Sequence, residues 1–118
     1  MVKDIYVETL DNTKYINFTF SGILKEKDAK NAIDEFSKIA KNTQKEIILI
    51  WNCLEMKNYE HEARILWQKK LKHCKSQIKE IWLISDSKII KAGAELISLF
   101  TSYKIKIIES DALLHAKQ

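Results

Sequence analysis

Proline is absent from these 118 residues, and glycine and cysteine occur only twice each. The two cysteines, Cys53 and Cys74, are too few for a disulfide framework. The longest apolar run, Ile47 to Trp51, is far too short to span a membrane. At the N-terminus, Met1-Val2-Lys3-Asp4-Ile5 has charge where a signal peptide needs its apolar core. A cytoplasmic protein with no transmembrane segment is expected. No linker, repeat or low-complexity tract divides the chain. At this length one domain, 1–118, is expected, long enough to bury roughly two-thirds of its unfolded surface without staples.

Arginine is nearly missing too. The chain carries 20 basic and 16 acidic residues, a net charge of +4 and a pI near 9.0. Every basic residue except Arg64 is a lysine. Nucleic-acid readers lean on arginine for bidentate contacts to guanine and phosphate. Abundant lysine, isoleucine and asparagine without proline reads as the codon bias of an A/T-rich genome. No nucleic-acid partner is expected.

The apolar pattern alternates between two periods. Asp4 to Leu10 and Tyr15 to Ser21 read as strands, with Ile16, Phe18 and Phe20 on one face of the second. Asp11-Asn12-Thr13 between them suits left-handed backbone, so the two strands form a hairpin. Gly22 is read as the point where the chain leaves the sheet. Glu26 to Lys41 has a helical stripe of Ala29, Ala32, Ile33, Phe36, Ile39 and Ala40, with acids first and lysines last to suit the helix dipole. Asn42 is its expected stop.

Glu46 to Asn52 is apolar on both faces, as in a buried parallel strand. Tyr59 to Ser76 is the second helix, with Asn58 as N-cap and Ala63, Leu66, Trp67, Leu71 and Cys74 inward. Ile81 to Ile84 is the next buried strand. Ser85-Asp86-Ser87 caps a helix to about Ser102, with Ile89, Ala92, Gly93, Leu96, Ile97 and Phe100 inward. Ile105 to Glu109 is the last strand, and Ser110-Asp111 opens a terminal helix. The order β-β-α-β-α-β-α-β-α gives the fold class α/β: a mostly parallel five-stranded sheet with an N-terminal antiparallel hairpin.

No stretch carries a recognisable chemistry. His61-Glu62-Ala63-Arg64-Ile65 lacks the second histidine of a zinc protease helix, and His73 lies about 18 Å further along. Glu60 and Glu62 instead suit the positive end of a helix dipole. No metal and no cofactor is expected. Cys53 and Cys74 read as core thiols, because no histidine base sits within reach. Lys69, Lys70, Lys72, Lys75 and Lys79, with His73, read as a solvated helix end. No enzyme is expected, since no pair has the spacing of a base and a nucleophile.

Open α/β sheets bind outside the carboxyl ends of their strands. The expected site there is Asn52, Asn58, Tyr59, Glu60, Arg64 and Asp86. Arg64 is the chain's one arginine and stands one turn from Glu60, close enough to pair with it.

This order of elements, with Gly22 after the second strand and a buried strand leading into a helix at Asn58, resembles the STAS family, the SpoIIAA-like or anti-sigma-factor-antagonist-like domains. Within it, Tyr59, Glu60, Ala63 and Arg64 match a Tyr-acidic-x-x-Ala-Arg helix start, and Asp86 matches an aspartate near a strand end, of an uncharacterised branch. The resemblance implies a single STAS-like domain over nearly the whole chain. In the regulatory members a phosphorylated serine opens the helix. Here Asn58-Tyr59-Glu60-His61 offers none, so the serine phospho-switch is not expected. The resemblance implies a non-enzymatic module presenting the Asn52–Arg64 edge, or an exposed sheet face, to a protein partner or to its own copy. The alternative is a carrier of a small hydrophobic ligand or lipid, with Trp51, Trp67 and Trp82 lining a pocket or simply filling the core.

Overall fold

The computed structural model describes residues 1–74 and 77–111. The hairpin forms as its pattern dictates. Strand β1 (Val2–Leu10) pairs antiparallel with strand β2 (Thr13–Leu24), setting Ile5 opposite Phe18 and Val7 opposite Ile16. Asp11 takes φ 54° in the turn, a left-handed conformation that aspartate tolerates.

Helix α1 (Glu26–Lys41) buries Ala29, Ala32, Phe36 and Ala40. Its first residue follows Lys25, whose ammonium can accept no hydrogen bond. Two carboxylates serve the helix start instead. Asp28 accepts the Lys25 N–H at 2.9 Å, and Glu60 accepts the Glu26 N–H at 2.8 Å. Asn42 closes the helix, its amide donating to the Lys38 carbonyl at 3.0 Å.

Strand β3 (Glu46–Tyr59), helix α2 (His61–Lys72), strand β4 (Ile78–Ile84), helix α3 (Lys88–Phe100) and strand β5 (Ile105–Ile108) follow. The sheet runs β1-β2-β3-β4-β5, antiparallel at the hairpin and parallel elsewhere. Every crossover therefore advances one strand in the same direction. Right-handed crossovers of that kind put all three helices on one face. The core lies there, where Phe18, Trp51 and Leu83 of the sheet meet Phe36, Trp67 and Ile97 of the helices. Trp67 is its hub, with ring centroids 5.1 Å from Trp51, 5.8 Å from Phe18 and 6.3 Å from Phe36.

The opposite face carries no helix among the described residues. Tyr15 on β2 and Trp82 on β4 reach toward each other across β3, their rings 6.1 Å apart. Ile48, in register with Tyr15, is 5% exposed on that face. Trp82 therefore belongs to neither the main core nor a pocket with the other two tryptophans.

Several expected boundaries move. Gly22 does not release the chain from the sheet. It takes φ 64° at a register shift, and β2 continues to Leu24. Its partner β3 runs on past Asn52 to Tyr59, with Ser21 opposite Glu55 and Leu24 opposite Tyr59. Two bulges in β3 absorb the extra residues, and each breaks the period of two that marks a strand. Consequently α2 begins at His61 rather than Tyr59. Asn58 lies within β3, one residue before its end, and its Oδ1 accepts the adjacent Tyr59 N–H at 2.8 Å instead of capping the helix.

In α3 the inward stripe is Ile90, Gly93, Ala94 and Ile97, leaving Ile89, Ala92 and Phe100 exposed. This helix has apolar residues all round, so its stripe was ambiguous by one position. Ser87 caps it, accepting the Ile90 N–H at 3.3 Å. Helix α2 ends at Lys72, with His73 as its C-cap, short of the expected Ser76; Lys75 of the basic cluster and the terminal helix after Asp111 lie outside the described residues.

Candidate functional site

Helices α2 and α3 leave a gap between them over the carboxyl half of the sheet. A cavity of about 50 Å³ lies there. Phe20 and Leu24 of β2, Trp51, Cys53, Met56 and Tyr59 of β3, and Leu83 of β4 form its floor and one end. Arg64 and Trp67 of α2 and Ile90, Gly93, Ala94 and Ile97 of α3 complete it. The extension of β3 to Tyr59 is what brings Met56 and Tyr59 to this place.

Arg64 is the one charged residue on the cavity. It does not pair with Glu60, whose carboxylate is held by the α1 amide. Its guanidinium Nη1 donates to Gln68 Oε1, and Nη2 lies 2.9 Å from His61 Nδ1. Arginine has only donors, so that histidine nitrogen is the acceptor. Arg64 is half-buried and forms no ion pair among the described residues. Its Nε is buried and has no hydrogen-bond partner. The indole N–H groups of Trp51 and Trp67 share that condition, and these side chains are 4% and 3% exposed.

Tyr59 and Arg64 thus meet on one cavity. The other expected site residues sit elsewhere. Asn52 alternates with Trp51 and Cys53 along β3, so it faces the opposite side of the sheet. There its Oδ1 accepts the Leu54 N–H at 3.2 Å. Asn58 is exposed, and Glu60 ties α2 to α1. Asp86 accepts the Ser110 N–H at 2.9 Å and the Ser110 hydroxyl at 2.7 Å. Those bonds hold its carboxyl below the ordinary aspartate range.

Trp51 and Trp67 line the cavity, as the carrier alternative expected of them, whereas Trp82 does not and Met56 was not among the expected residues. Nothing in the sequence marked Met56, which follows a bulge. Cys53 lines the cavity, and burial pushes its thiol up to about 12, so it stays protonated at neutral pH. Cys74, raised by burial despite nearby Lys70, lies off the cavity. No group of three histidine, cysteine or carboxylate side chains suited to a metal ion occurs among the described residues. No helix among them is long and apolar enough to cross a membrane. The basic end of α2, Lys69, Lys70 and Lys72, occupies the last turn, where cations suit the dipole.

No protein-family model and no curated protein matches the chain. Solved structures do. An uncharacterised protein of the DUF3478 family from Shewanella loihica PV-4, described as having a SpoIIAA-like fold, superposes with a TM-score of 0.69 at 18% identity, over 93% of this chain and 89% of that one. The anti-sigma factor antagonist SpoIIAA in its unphosphorylated form superposes with a TM-score of 0.58 at 12% identity, over 97% and 98%. The resemblance read from Tyr59 to Arg64 and from the element order holds at the level of architecture: the chain has a SpoIIAA-like fold.

Proposed function

We propose that this is a non-enzymatic binding protein without a serine phospho-switch, whose cavity under the start of α2 receives a small, largely apolar ligand. One observation carries the reading. Three buried N–H groups without partners belong to side chains that line a single apolar cavity. Buried donors in folded proteins nearly always find an acceptor. A core that only had to pack would do as well with phenylalanine at 51 and 67, which brings no N–H to satisfy. The protonated thiol of Cys53, with no histidine among the described residues that line the cavity, favours binding over covalent chemistry.

Native mass spectrometry on gently purified protein tests the reading. A mass above a whole number of chains is expected. Bare chain masses, with no change in tryptophan emission on adding anilinonaphthalene sulfonate, count against it.

A second reading is a protein partner or a second copy at the same edge. Ile23 at the end of β2, Leu54 on the β3 extension and Ile89 at the start of α3 are 51%, 40% and 55% exposed, all at the carboxyl end of the sheet. Under this reading Arg64→Ala leaves folding intact and weakens association, measured by light scattering for self-association.

A further inference from the structure

We propose that the ligand of this cavity is a small amphipathic carboxylate, its tail against Trp51, Trp67 and Met56 and its anionic end on Arg64. The inference rests on the ligand-binding reading above and names the ligand's chemistry.

The first argument is charge. Arg64 is half-buried, yet its guanidinium meets only neutral groups, Gln68 Oε1 and His61 Nδ1. A buried or half-buried guanidinium normally lies against a carboxylate or phosphate, whose geometry its fork matches. Among the described residues nothing supplies one. The nearest carboxylate in sequence that could, Glu60, is committed to the α1 amide.

The second argument is polarity of hydrogen bonding. At the anionic end of the site the unpartnered group is Arg64 Nε, which like every guanidinium nitrogen is a donor. An ionised carboxylate offers acceptors and no donor, whereas an alcohol or amine brings a donor that this group cannot satisfy. One cation also balances one negative charge, which favours a monoanion over a phosphate monoester near neutral pH.

The third argument is shape. Arg64 runs between exposed His61 and buried Gln68, so the charged end of a ligand meets the guanidinium near solvent. The interior beyond it is walled by aromatic rings, Met56 and aliphatic side chains. At about 50 Å³ it is well below the roughly 150 Å³ that holds benzene, so even a single ring or a short chain requires Tyr59 to move off its rim.

The experiment compares acids with alcohols of the same skeleton. Tryptophan emission is followed while wild-type protein is titrated with phenylacetate or hexanoate, and separately with phenethyl alcohol or hexanol. The acids are expected to bind about tenfold or more tighter than their alcohols, the worth of one hydrogen bond to a charged group. Arg64→Gln should bring the acids down to the level of the alcohols and leave the alcohols unchanged, and Arg64→Lys should retain part of the preference. Equal binding of acid and alcohol by the wild type overturns the carboxylate inference while the cavity reading stands. Binding of neither, up to millimolar concentration, overturns both. The wild-type comparison decides the matter even where a variant folds poorly.

Discussion

Tyr59 fills the space that a side chain at position 93 would need. A Cβ built on Gly93 of α3 would lie 2.7 Å from Tyr59 Oη and 2.8 Å from Cε1 and Cζ. The glycine is therefore what lets the phenol of Tyr59 close the rim of the cavity against the helix. Elsewhere in a helix interior, alanine is favoured over glycine by about 1 kcal/mol. The expected result is a change of sign. Gly93→Ala destabilises the wild type, because a rigid ring must shift, and stabilises a Tyr59→Ala background by about 1 kcal/mol. Urea unfolding of the four proteins measures the cycle. Equal effects of Gly93→Ala on both backgrounds would show that the two residues do not compete for space.

Glu60 serves a helix other than the one it precedes. Its carboxylate satisfies the first amide of α1, while its own N–H donates to the Leu24 carbonyl at 2.8 Å. Lys25 cannot do this work, so Glu60→Ala leaves an orphan donor at the α1 start. The expected loss is about 1 kcal/mol in urea unfolding, as for removal of an N-cap. Glu60→Gln, which keeps an acceptor oxygen, should lose less. Neither variant should alter ligand binding at Arg64, because the two side chains do not touch through an ion pair.

These two contacts show where the sequence was readable. Helix α1 has the boundaries Glu26 and Lys41 that its pattern predicts, since its polar and apolar faces separate cleanly. The inward face of β2 was legible for the same reason: Ile16, Phe18 and Phe20 alternate with polar residues. The strand β3 was legible only to Asn52. Beyond it Cys53, Met56 and Tyr59 face inward at intervals of three, because a bulge inserts one residue before each return to the core. That spacing imitates a loop or helix start. Arg64 drew notice by being the only arginine, but its neutral surroundings could not be foreseen, because they depend on where Glu60 is held. Trp82 misled because β4 is apolar on both faces, and only the sheet order decides that one of those faces carries no helix among the described residues.

Asp86 provides a pH-dependent tether. Its carboxylate accepts both the hydroxyl and the amide of Ser110, the hydroxyl bond being the larger influence, and its pKa is lowered as a result. A lowered folded-state pKa means that the contribution is present above the unfolded value, near 3.8, and is lost as pH falls through the folded one. Ser110→Ala removes the hydroxyl bond and should move the Asp86 pKa upward, toward the ordinary aspartate value. A carboxyl-detected NMR titration of wild type and variant reads the difference. An unchanged Asp86 titration would mean that the serine hydroxyl does not hold the charge.

Cys53 gives the opposite dependence at alkaline pH. Burial raises its thiol from 9.0 to about 12, because the thiolate would lie without solvent among apolar side chains. Between those values the unfolded chain loses a proton that the folded chain keeps. Stability is thus full below pH 9 and falls as pH rises toward 12, by an amount on the order of a few kcal/mol at the top of that window. Tyr103 adds a change of the same sign, since burial and then the neighbouring Cys74 raise its hydroxyl to about 12, and this group donates to the Cys74 carbonyl at 2.7 Å. Comparing wild type with Cys53→Ala separates the two. The variant should start less stable, because the side chain is 3% exposed and its removal enlarges the cavity, yet lose stability more slowly between pH 9 and 11. Parallel curves would show that the thiol of Cys53 ionises as readily in the folded protein as in the unfolded one, and would make it available as a nucleophile on the cavity wall.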